Sequence, residues 1–139
     1  MSKEKKKVIN GIKYHIHPNG GGLIAETTII SKNAYIGPNA KVIDKARVIG
    51  HAKIRGNAIV SGNALVYDNA EVYGQAVVCG KAMVSAKAQV YGKAKVCDSA
   101  VLSGNAKVYG NAIVSGNARA YDNANICGNT NIYEGERVS

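Results

Sequence analysis

The side chains here that could do chemistry are three histidines, three cysteines and a set of tyrosines spaced among cations. His15 and His17 lie two apart, on one face of an extended strand, and could share a metal ion. A zinc site needs a third or fourth ligand at suitable spacing, and none accompanies them, so no metal is expected. His51 stands alone in Gly50-His51-Ala52; as a general base it is the one catalytic candidate, and a turn residue is the preferred reading. Tyr73, Tyr91 and Tyr109 recur every eighteen residues, near Lys53, Arg55 and Lys107. Rings at that spacing could stack bases or sugars while the cations meet phosphates, although β-propensity and packing between strands also favour a tyrosine stack. Gly20-Gly21-Gly22 could cradle a phosphate, but the Lys-Ser/Thr and helix start of a phosphate loop do not follow. No cofactor is implied.

The element that must position these residues is a repeat. From Ile24 to Val138 every sixth residue is Ile, Val or Leu, with Ala120 the one departure. Alanine occupies the place four residues later at sixteen consecutive steps, Ala34 to Ala124, and Thr130 follows. A period of six suits neither a helix nor a long strand, so each unit is a short strand plus a corner. We number the aliphatic residue as place one. Places six, one and two then alternate out, in, out as a three-residue strand, and the Gly/Asp-Asn pair at places three and four turns the chain. Asn is expected to share the left-handed backbone that such a corner needs, with Gly adopting it freely. The alanine at place five points inward. Turns of one hand stack the aliphatic column on itself, which predicts an all-β solenoid.

The run Ile36-Gly37-Pro38-Asn39-Ala40-Lys41-Val42 resembles the hexapeptide signature of left-handed parallel β-helix proteins. That superfamily includes trimeric acyltransferases and gamma-class carbonic anhydrases, and uniform arrays of this kind occur in bacterial and phage proteins. The resemblance covers residues 24–138 and implies a single-stranded left-handed β-helix of triangular coils, between six and seven of them at three repeats per coil. Its hand comes from the resemblance, since parallel crossovers are otherwise right-handed. Most repeats depart from the signature by placing glycine third; the glycine-second form occurs at Gly37 alone. The acyltransferases use a histidine near a subunit interface, helped by a protruding loop or a C-terminal helix, and the unbroken array leaves neither. A zinc site of the carbonic anhydrase kind requires three array histidines, and the array has only His51.

Residues 1–23 form a separate leader to the array at 24–139. Lys3, Lys5, Lys6 and Lys7 surround Glu4 in a basic tail, read as solvated rather than as a nucleic-acid arm. Val8 to His17 then reads as two strands about an Asn10-Gly11 hairpin turn, outside the six-residue register. This hairpin is expected to cover the open N-terminal end of the solenoid. At the other end Glu136 stands in the alanine place, so the last rung is expected to fray or to be capped by another molecule. The formal charge of +9 is spread along the chain, making acidic partners plausible without requiring one. No apolar run suits a signal sequence or a membrane span, and the three cysteines fall on outward places. An odd number there fits free thiols in a reducing, cytoplasmic setting.

Counting in eighteens writes out three faces. The first carries Leu65, Met83 and Val101, with Arg47, Arg119 and Tyr121 toward its ends; the third carries Ile59, Val77 and Ile113, with Cys79 and Cys97. Both are largely apolar, and such a surface is seldom left uncovered on a monomer. A homo-oligomer is therefore expected, with a trimer favoured and a dimer next. The second face holds the tyrosines and stays free for a partner. The reading that follows is a non-catalytic, self-associating scaffold or binding module. An acyltransferase is its enzymatic rival, and binding of nucleic acid or another polyanion through the tyrosine face is a third class.

Overall fold

A computed structural model describes residues 6–133, 137 and 138, apart from the side chains of residues 6 and 7. The described residues form strands and no helix: β1 (Lys6–Ile9), β2 (Ile12–Ile16) and β3 (Leu23–Ala25), then one strand per six-residue repeat from β4 (Ile29–Ile30) through β5 (Tyr35–Ile36) to β22 (Arg137–Val138). Each repeat strand pairs in parallel with the strand eighteen residues on, as in Val42 with Val60 and Val78 with Val96. Three sheets result, with seven, seven and six parallel rungs, and the hairpin strands β1 and β2 extend one of them. The fold is a β-solenoid of six complete coils and part of a seventh.

Its core is the two inward columns. The aliphatic residues from Ile36 to Val114 and the alanines from Ala46 to Ala118 are shut off from solvent. Every aliphatic residue stacks on its counterpart one coil away, and the alanines fill the narrow corners. At the chain ends Ile24, Ile30, Ile132 and Val138 are only partly covered.

Most repeat strands are two residues long where three were expected. The reason is the corner. Place three adopts a left-handed backbone in every repeat from Asp44 to Gly128, so place two already begins the turn. The turn closes by a hydrogen bond from the alanine N–H to the place-two carbonyl, as from Ala46 to Ile43 at 3.3 Å. The left-handed residue is thus the Gly or Asp, and the following Asn keeps ordinary backbone angles. Backbone bonds between coils continue around the bend, for example from Lys45 N–H to Gly62 carbonyl at 2.9 Å. Where place three is Asp, its carboxylate takes up the place-three N–H of the next coil. Asp44 accepts from Gly62 at 2.9 Å, Asp68 from Ala86 at 3.2 Å and Asp98 from Gly116 at 3.0 Å.

The N-terminal segment does cover part of the solenoid's end. Asn10 and Gly11 both adopt positive φ, as a tight hairpin requires. Strand β2 pairs antiparallel with β3, placing Tyr14 beside Ala25 and Ile16 beside Leu23. The glycine loop then lies against β5: Gly22 N–H donates to Ile36 carbonyl at 2.8 Å and Ile36 N–H to Asn19 carbonyl at 3.0 Å. A Cβ at Gly20 would lie 2.2 Å from the Ile36 oxygen and one at Gly22 2.3 Å from the Ile36 side chain, so these two glycines serve close packing. The basic tail at 1–5 and the break at Gly135-Glu136 lie outside the described residues.

The cysteine reading needs correction. Cys79 and Cys97, expected as free thiols, are joined as a disulfide, and Cys127 is free. Rung stacking brings their Cα atoms to 4.6 Å, within bonding range.

Two substitutions test this architecture in thermal melts. Val78→Asp places an unpartnered charge in the stack and should cost several kcal/mol; a melt within a few degrees of the parent contradicts the inward column. Ala86 holds φ at 55° without the local hydrogen bonding of Asp or the freedom of Gly. Ala86→Gly should therefore stabilise the chain by about 1 kcal/mol, after deduction of glycine's greater unfolded entropy.

Candidate functional site

The second face is built from two outward columns. Place two contributes Gly37, Arg55, Tyr73, Tyr91, Tyr109 and Cys127, one per coil, because parallel pairing puts residues eighteen apart side by side. Tyr73 and Tyr91 stack with ring centroids 4.9 Å apart and planes within 3°; Tyr91 and Tyr109 stack at 4.9 Å and 4°. The ring spacing is the spacing of the rungs beneath it. Arg55 closes one end of the column, with its guanidinium 4.5 Å from the Tyr73 centroid. The same guanidinium is held by Glu71 at 2.6 Å.

Geometry decides what this column can offer. Each ring in the row is covered by its stacked neighbours and the outer face of Tyr73 by Arg55, so the faces between Arg55 and Tyr109 are occupied. Planar groups do not fit between rings spaced at 4.9 Å. What remains for a partner is a row of ring edges and hydroxyls, flanked by the exposed Lys53 and Lys107 of the place-six column. Burial, chiefly, holds the Tyr73 phenol above its ordinary value, with Tyr91 and Glu71 adding to the effect and Arg55 opposing it. Tyr109 is raised first by its side-chain hydrogen bond with Cys127. Both hydroxyls stay protonated at neutral pH, able to donate and to accept.

The other singled-out residues are scattered. His51 is exposed on a corner, and its ring has no partner among the described residues. His17 is buried and shares a hydrogen bond with Ala34 carbonyl at 2.9 Å, which fixes the entry loop. His15 lies 3.6 Å from Glu26. His15, His17, Glu26 and Lys32 line a recess of about 460 Å³ at the N-terminal end. Among the described residues no group of three or more His, Cys, Asp or Glu could hold a metal ion. No helix there is long and apolar enough to cross a membrane. On the first face Leu65, Met83 and Val101 follow one another up the rungs, half-buried by their neighbours. On the third face Ile59 and Val77 are adjacent, Lys95 intervenes, and Ile113 is 37% exposed.

A family model described as the YdcK beta solenoid repeat matches residues 106–122. That stretch holds one strand from each of the three sheets, nearly a full coil. No curated protein and no solved structure matches the chain. The match and the stacked parallel coils agree: this is a repeat β-solenoid protein.

Sequence reasoning had not joined Glu71 to Arg55 or Cys127 to Tyr109. The signal was present for both: Cys127 follows Tyr109 by eighteen, and Glu71 stands on the rung beside Arg55's own. An absorbance titration should resolve two late-ionising phenols among the eight tyrosines. Cys127→Ala should return one of them toward the ordinary phenol value of 10.0. With the folded value raised, the folded chain keeps protons that the unfolded chain releases, so this contribution is intact below pH 10.0 and is lost as pH climbs through the raised values.

Proposed function

We propose that the protein is a non-catalytic solenoid scaffold that associates with copies of itself through its first and third faces and presents the tyrosine face to a partner. The observation that carries this reading is the unbroken array. From β4 to Ile132 no insertion interrupts the six-residue step, so no loop projects over a corner to build a pocket of the kind the acyltransferases use. His51, the candidate base of the enzymatic alternative, stands on an exposed corner without a side chain to orient it. A trimer similar to that of the hexapeptide acyltransferases is the favoured assembly. It would pack the corner running through Asp44-Lys45, Gly62-Asn63 and Gly80-Lys81 toward a threefold axis, with a dimer through one apolar face as the competitor.

Lys53, Lys107 and the hydroxyl row support a second reading for the free face, the binding of an acidic polymer along the rod. Contacts would be made by cations and ring edges, since the ring faces between Arg55 and Tyr109 are taken. Light scattering at micromolar concentration tests the assembly. The parent should scatter as a trimer and the double variant Leu65→Lys/Met83→Lys as a monomer. A monomeric parent, or a trimer indifferent to both lysines, contradicts the proposed faces.

A further inference from the structure

Toward the C-terminal end of the first face, Arg119 and Arg137 are register partners on adjacent rungs. Both are exposed, and among the described residues neither meets an acidic side chain. Like charges directly opposite on paired strands repel. The chain meets the same difficulty differently elsewhere: Arg55, beside Lys53 on the second face, is neutralised by Glu71 at 2.6 Å. Among the described residues nothing on the first face does that work for the arginine pair.

Around the pair lies an open recess of about 410 Å³, lined by Val101, Ser103, Arg119, Tyr121 and Arg137. Its make-up is specific. Two guanidinium groups rise from rungs about 4.8 Å apart, and each presents a planar fork of N–H donors suited to the oxygens of a tetrahedral anion. Ser103 and Tyr121 stand one rung apart in the neighbouring outward column, since Val101 pairs with Arg119, and bring two hydroxyl donors to the same space. Val101 and the Tyr121 ring, 36% exposed, supply an apolar margin. Among the described residues that line it, donors therefore converge with no acceptor carboxylate.

We propose that this recess is a binding site for a phosphate group, free or carried as a monoester, gripped by Arg119 and Arg137 together. The forks take two oxygens each, and the Ser103 and Tyr121 hydroxyls complete the shell. An esterified group would rest its organic part on Val101 and Tyr121. The recess shares Val101 with the first face proposed for self-association, so the titration is run at a concentration where scattering has fixed the oligomeric state.

The test is a nuclear magnetic resonance titration of the isotope-labelled full chain with inorganic phosphate and, separately, with phenyl phosphate at constant ionic strength. Saturable shifts at the Tyr121 amide and at the Nε–H groups of Arg119 and Arg137 are expected. Tighter binding of phenyl phosphate identifies an esterified ligand, and equal binding identifies free phosphate; either supports the site. Arg119→Ala and Arg137→Ala should each weaken binding about tenfold or more. Arg119→Lys, which keeps the charge and removes the fork, should also bind less tightly than the parent. Arg47→Ala, a cation lost farther along the same face, should change nothing. Shifts that grow linearly without saturation in both arms, or an Arg47→Ala loss as large as that of Arg119→Ala, would overturn the proposal.

Discussion

The left-handed backbone at place three is the constraint on which the solenoid depends. It lets the chain turn within two residues, and it brings each corner into contact with the one above. A Cβ added at Gly80 would lie 2.6 Å from the backbone nitrogen of Asp98, and one at Gly104 would lie 2.7 Å from that of Asp122. Glycine therefore dominates the corners, for its backbone freedom and for its missing side chain together. Aspartate is the regular exception. Its carboxylate satisfies a backbone N–H of the next coil, which offsets the cost of its own conformation.

With the turn settled, little freedom remains inside. The interior consists of two columns of small or branched apolar residues, the same in every coil, and within those columns the buried side chains distinguish one coil from another only by methyl groups. Distinct chemistry lies on the outward places, chiefly six and two, and on the corners. Those outward columns stack like on like wherever the chain repeats a residue eighteen positions on. This is why three tyrosines form one continuous row and two cysteines one bridge. The same rule sets two arginines side by side at the far end of the first face.

The architecture was legible because the six-residue period and the inward alternation follow from backbone geometry alone. The three faces could be written down by counting, and the pairing of Tyr73, Tyr91 and Tyr109 came out as counted. Two kinds of fact escaped. Strand length and the place of the left-handed residue depend on how tightly the corner closes, and composition shows only that Gly and Asp gather there. Bonds between neighbouring side chains depend on reach: Cys79 and Cys97 were known to be stacked, but the 4.6 Å that joins them is a property of the folded rung. Coverage of the outer face of Tyr73 is likewise visible only once Arg55 is in place.

Because three repeats make a coil, the array's core is indifferent to the loss of a single repeat while its surface is not. Removing six residues would leave every aliphatic residue over an aliphatic residue and every alanine at a corner. Everything downstream would nevertheless rotate by one face. Excising residues 92–97, for example, would bring Tyr91 beneath Ser115 and separate it from Tyr109. Loss of eighteen residues keeps both interior and surface in step and shortens the rod by one rung on each face. Length changes in such a chain are thus quantised: six is the unit that preserves folding, and eighteen is the unit that preserves the identity of its faces.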